Sequence, residues 1–214
     1  VQSPAAAGHP ALEQPQWQPL PRMRPIDEEE RKHVTVLICV MAEATLFETQ
    51  LGPEAALAWR RRFFALAQRE MQRYAGTITN FRGESFTALF GAPQAYEDHV
   101  RRAVLAALAL QSCVSEELNL LGVPSDGAWG VRIGLHTGMV LLGTLGDETQ
   151  RTYTAVGDAI QLANRLQQCA APGVILASAG TLRFIRGEVQ TETWQPEDGR
   201  GKLAGPPVYR IIAY

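Results

Sequence analysis

The chain has 214 residues, 46% of them hydrophobic and 20% charged, with a formal net charge of -2. This composition supports a buried core and excludes a wholly disordered chain. The near-neutral balance excludes an overall basic field for nucleic acid or anionic lipid. The longest apolar run, around Val34 to Ala42, is far short of the roughly 20 residues a spanning helix needs, so no membrane span is expected in this segment. Cys39, Cys113 and Cys169 are widely spaced and form no C-x-x-C pair, which reads as free thiols in a reducing cytoplasm.

Six of the 13 prolines fall within the first 25 residues, interleaved with Ala and Gln. Residues 1–32 therefore read as an extended arm or linker, closed by the charged, solvated lead-in Asp27 to Lys32, and residues 33–214 as one domain. The first residue is Val1, and the chain reads as a piece of a longer or processed polypeptide. From His33 to Met41 both alternating faces are apolar, the pattern of a central buried strand. Gly52-Pro53 opens a helix to about residue 74, with Phe64, Ala67, Met71 and Tyr74 on one face and Gly76 as its stop. Residues 77–82 and 85–90 form a hairpin around Gly83-Glu84. A second helix covers about 95–121, with Val100, Val104, Leu108, Val114 and Leu118 as its buried stripe. Strands at 130–135 and 139–143 are expected to meet at a turn over His136-Thr137-Gly138. A third helix then runs from Asp158, its expected N-cap, to just before Pro172. Residues 174–177 and 208–212 read as closing strands.

The order is β-α-β-β-α-β with additional strands and helices. That is an α+β, ferredoxin-like layout with a mostly antiparallel sheet backed by helices. The common phosphate-binding, dinucleotide, zinc-protease and hydrolase motifs are absent, and the four histidines lie far apart in sequence.

Four segments read together resemble the class III adenylate/guanylate cyclase catalytic domain: 34–45 (VTVLICVMAEAT), 77–93 (TITNFRGESFTALFGAP), 131–138 (VRIGLHTG) and 153–166 (YTAVGDAIQLANRL). The resemblance runs from about His33 to Tyr214 and implies the nucleotide cyclase fold. In that family two domains pair head to tail. Two aspartates on one face hold two Mg²⁺ ions, and the other face supplies a base-reading pair with an Asn and an Arg. The ribose 3′-oxygen attacks the α-phosphate and pyrophosphate leaves, with metals and cations stabilising the charge that develops.

Carried onto this sequence, the first metal position is Val40, which has no ligand atom, and the second is Glu84, one methylene longer than Asp. Mg²⁺ demands near-octahedral oxygen geometry, which a lengthened ligand in a tight turn suits poorly. Glu43 stands in the phosphate turn in place of a small glycine, either repelling phosphate or serving as a displaced ligand. Arg165 matches the transition-state arginine, and Gln161, four residues earlier on the same helix face, takes the place of the asparagine. Asn80 and Thr154 fall at the base-reading positions, and Lys202 resembles a triphosphate-binding lysine. Arg60-Arg61-Arg62 reads as an exposed helix face or part of a partner interface.

The resemblance with these departures implies a degenerate cyclase-homology domain, a regulatory or dimerisation module without cyclase activity alone. The alternatives are an adenylate or guanylate cyclase, as the non-metal half of a heterodimer or as an active homodimer. Mg²⁺ or Mn²⁺ is expected only in an active form. The expected partners are a second copy or a related cyclase domain, with a purine nucleoside triphosphate as the candidate ligand.

Overall fold

The computed structural model describes residues 29–42, 49, 52–123, 129–145, 152–195 and 207–214. Eight strands form one sheet in the order β2-β3-β1-β4-β6-β8-β7, with β5 paired to β4. They are β1 (Glu30–Met41), β2 (Thr77–Arg82), β3 (Ser85–Phe90), β4 (Val131–Leu145), β5 (Thr152–Val156), β6 (Val174–Ser178), β7 (Gln190–Thr193) and β8 (Val208–Ala213). The helices whose bounds lie among the described residues are α1 (Pro53–Arg73), α2 (His99–Leu120), α3 (Asp158–Cys169) and the single turn α4 (Ala179–Leu182). All pairings are antiparallel except β4 with β6. The strands β1 to β4 with α1 and α2 make the expected split βαβ core.

Alternation along β1 divides the interior in two. Leu37, Cys39 and Met41 face α1 and α2, where Phe63, Met71, Phe86, Phe90 and Leu110 fill the larger cluster. Val34, Val36 and Ile38 face the other way, beneath Ala159 and Ala163 of α3. On α1 the fully buried aromatic is Phe63, whereas the expected Phe64 is half-buried and packs edge-on against Phe81 at 4.5 Å. On α2 the expected Leu108 is likewise half-buried, with Ala107 and Leu110 on the buried stripe.

Four further expectations change. The strand β4 is continuous through His136-Thr137-Gly138, which pair with Val36, Thr35 and Val34 of β1. The Thr35 and Thr137 hydroxyls bond at 2.9 Å, and His136 Nδ1 lies 2.8 Å from Ser178 Oγ, so the polar segment is satisfied within the sheet. The end of the charged lead-in, Glu30 to Lys32, is the first part of β1 and pairs with Leu142, Leu141 and Val140 of β4. The rest of the expected arm, residues 1–28, lies outside the described residues. Past α1, the left-handed residue is Ala75 (φ 59°). Gly76 is required for a different reason, since a Cβ there would meet Phe90 Cζ at 2.5 Å. Finally, the N-cap of α3 is Gly157, and Asp158 is its exposed first residue with no side-chain cap bond.

The seating of α3 fixes the geometry of one half of the candidate site. A Cβ at Gly134 would collide with Ala163 O and would lie 2.5 Å from Gln167 N, so only glycine lets α3 lie this close to β4. One turn away, Gly138 stands beneath Ala159, where an added Cβ would come within 3.2 Å of the alanine methyl. Two glycines of the VRIGLHTG segment thus serve helix-on-sheet packing.

Candidate functional site

The end of β1 and the β2–β3 hairpin meet. Val40 pairs with Ser85, and Met41 N donates to Glu84 O at 2.8 Å. The two expected metal positions are therefore neighbours. Val40 is half-buried and brings no donor atom. The Glu84 carboxylate accepts from Arg60 of α1 through both Nε (3.0 Å) and Nη2 (2.8 Å), converging on Oε1. In the sequence Arg60 was legible only as part of an exposed run, and its partner lies 24 residues away.

Cross-strand register adds two further cations. Arg82 pairs with Ser85, Ser85 with Val40, and Val40 with Arg132 of β4. Directly aligned residues share a sheet face, so Arg132 stands beside Val40, and Arg82 lies on the same face two strands away, with Ser85 of β3 between. Among the described residues, the carboxylate at this point is Glu84, and it is already paired with Arg60. Among the described residues no three His, Cys, Asp or Glu side chains converge to hold a metal. The donor set among the described residues does not fit the two Mg²⁺ ions that the family pattern implies. Glu43, the candidate displaced ligand, and Lys202 lie outside the described residues.

The other half is arranged differently. Gln161, Asn164, Arg165 and Gln168 are exposed along one stripe of α3, while Ala159, Ala163 and Leu166 are buried on the opposite face. Gln161 and Arg165 thus leave the same side of the helix, one turn apart. Among the described residues Arg165 has no hydrogen-bond or ion-pair partner, so its guanidinium is presented outward. Asn80 is exposed on β2, next to a register shift between Ile78 and Asn80, and Thr154 is half-buried on β5, opposite Gly143. The strands β2 and β5 touch. Met139 and Val156, both more than half exposed, add apolar surface beside the start of α3.

Chemically, the α3 stripe offers a cation and an amide to an anionic group approaching from outside the chain. In the Val40 region, among the described residues, the Glu84 carboxylate is committed to Arg60. Sequence reading missed the contributions of Arg60, Arg82 and Arg132. For Arg132 a signal was present, since strand alternation puts it on the face opposite Val131 and Ile133.

The match to known proteins follows this geometry. Residues 26–206 match the family described as the adenylate and guanylate cyclase catalytic domain. Adenylate cyclase 1 of Rhizobium meliloti (strain 1021) is 25% identical over 187 residues, covering 85% of this chain and 28% of that protein. The chain therefore spans little more than a quarter of that relative's length. Among solved structures, the adenylyl cyclase CyaB from P. aeruginosa superposes with a TM-score of 0.75 at 23% identity, covering 87% of this chain and 97% of that one. The non-canonical dimeric guanylyl cyclase domain of the RhoGC fusion protein from Blastocladiella emersonii gives 0.73 at 21% identity, covering 87% and 97%. Both share the fold. With the match extending over most of its length, the chain belongs to the adenylate and guanylate cyclase catalytic domain family.

Proposed function

We propose that this domain is a regulatory and pairing module of cytoplasmic signalling that does not cyclise a nucleotide on its own. The observation that carries the reading is the Arg60–Glu84 pair beside Val40, with Arg132 opposite Val40 on β4. Metal-dependent cyclisation needs carboxylates that bind cations, and here the available carboxylate is already matched to a cation. Pairing with a second copy or a related cyclase domain is part of the proposal. It draws support from the exposed Met139 and Val156 beside α3 and from the dimeric guanylyl cyclase domain among the structural neighbours.

The outward stripe of α3 favours a second reading: Arg165 and Gln161 serve the site of a partner domain that carries its own metal ligands. Helix α3 holds both side chains one turn apart, and Arg165 is not committed to a partner among the described residues.

The test is a titration of the purified chain with fluorescent analogues of ATP and GTP in Mg²⁺, Mn²⁺ and EDTA. No binding, or weak binding indifferent to metal, agrees with the regulatory reading. Tight binding that EDTA abolishes in the chain alone contradicts it. Binding that appears only with a metal-competent cyclase domain, and is lost in Arg165→Ala, selects the second reading.

A further inference from the structure

We propose that the opposite face of the sheet carries a second ligand site, for a small organic anion with an apolar body. A cavity of about 280 Å³ opens between α4, the turn that follows it, and strands β7 and β8. It lies on the side of α1 and α2, away from Val40 and α3. Its floor is apolar: Leu182, Ile185 and Val189 belong to, or pack on, the larger core cluster. Arg183 and Arg186 stand on its rim with the polar side chains of Thr191 and Tyr209. Both arginines are exposed, and neither has an acidic partner among the described residues.

The nearby acids are turned elsewhere. Glu188 lies 3.7 Å from Arg101 and accepts from the Tyr214 hydroxyl at 2.5 Å. Glu192 is paired in register with Arg210, while alternation along β7 puts Thr191 and its cavity on the other sheet face. Arg183 is also steadied, its guanidinium carbon 4.8 Å from the centre of the Phe184 ring. An apolar floor below two guanidinium groups, with hydroxyls at the side, suits a carboxylate or phosphate monoester on a compact hydrophobic body. The size of the cavity is near the lower bound of small-molecule sites, so a ring system of one or two rings is the matching scale.

The probes are 1-naphthyl phosphate, 1-naphthoate and the neutral 1-naphthalenemethanol, titrated calorimetrically into the full chain. The expected result is saturable binding of at least one anion, with the neutral probe about tenfold weaker or worse. The stronger of the two anions identifies the headgroup. Arg183→Gln and Arg186→Gln should each weaken binding about tenfold, and Arg210→Gln, on the other face, should leave it unchanged. Absence of saturable binding by either anion would overturn the proposal. So would equal affinity for the neutral probe, or full affinity in the double variant Arg183→Gln/Arg186→Gln when its melting temperature matches the parent.

Discussion

The two halves of the cyclase-type site are held by different kinds of interaction. Around Val40 and Glu84 the side chains are committed to one another, with Arg60 closing on the Glu84 carboxylate. On α3 the polar side chains point outward, while the helix itself is fixed by the close approach of Ala163 and Gln167 to Gly134. The first half joins the end of β1 to the β2–β3 hairpin and brings Arg60 onto its one carboxylate. The second is a helix seated closely on β4 with Arg165 exposed on its outer face. Packing constrains backbone positions and small residues, and it leaves a half-exposed side chain such as Val40 or Glu84 free to differ without disturbing the sheet.

Substitution at the seat of α3 should have the largest effect. Gly134→Val places a branched side chain against the backbone of Ala163 and Gln167, and we expect a loss of about 3 kcal/mol or more in urea denaturation. A midpoint unchanged from the parent would mean that α3 is not held as described. The first half should answer to carboxylates. Val40→Asp with Glu84→Asp should lower stability by about 2 kcal/mol in EDTA, because a half-buried apolar group is replaced by a charge. Mn²⁺ should then raise the melting temperature, since it binds the folded state. Equal melting with and without Mn²⁺ would show that the two carboxylates do not converge.

A pH series separates both halves from the histidine cluster at the other end of β1. Burial holds His99 below its ordinary value of 6.5, with the charge of His33 adding to the shift and Asp98 opposing it. Burial lowers His136 too, and His33 adds to it. The folded chain therefore takes up protons less readily than the unfolded chain. Stability should be full above pH 6.5, fall as the pH drops below that value, and level off once the lowered folded-state pKa is passed. In His99→Gln this slope should be shallower in urea midpoints measured from about pH 7 to about pH 5, the range in which histidine titrates; an unchanged slope would exclude His99 as a contributor.

The smallest effect should come from Arg60→Gln. Both partners of the pair are about a third exposed (32% and 35%), so solvent screening limits the loss to under about 1 kcal/mol. Its use is as a release of Glu84. In the Val40→Asp background it should strengthen the Mn²⁺-dependent rise in melting temperature, and a weaker rise would mean that Arg60 does not compete with metal.

The strand and helix order was legible because hydrophobic period and helix stops are local properties. The limits of α1 and α3 follow from them, as does the hairpin at Gly83-Glu84, whereas α2 starts at His99, four residues after its expected start. The continuity of β4 was not legible. Its middle is held by Thr35, 102 residues from Thr137, and by Ser178, 42 residues from His136. Locally the same residues resemble a turn. Strands β5 and β7 were missed for a related reason: each is short and defined by its pairing, to β4 and β8 respectively. At the site, the motif alignment named Val40, Glu84, Gln161 and Arg165 as candidates, and the structure puts Val40 beside the hairpin of Glu84 and Gln161 and Arg165 on one face of α3. The partner of Glu84 was beyond reach, because nothing in the run Arg60-Arg61-Arg62 says which arginine turns toward the hairpin. In the structure Arg60 meets Glu84 and Arg62 meets Glu117.

The central claim is that this chain does not perform metal-dependent cyclisation by itself. It is tested most directly by incubating the purified chain with ATP or GTP, in Mg²⁺ and separately in Mn²⁺, and measuring cyclic AMP and cyclic GMP. We predict product at the level of the protein-free blank in all four reactions. Turnover above blank that requires the metal and disappears in Glu84→Ala would contradict the account.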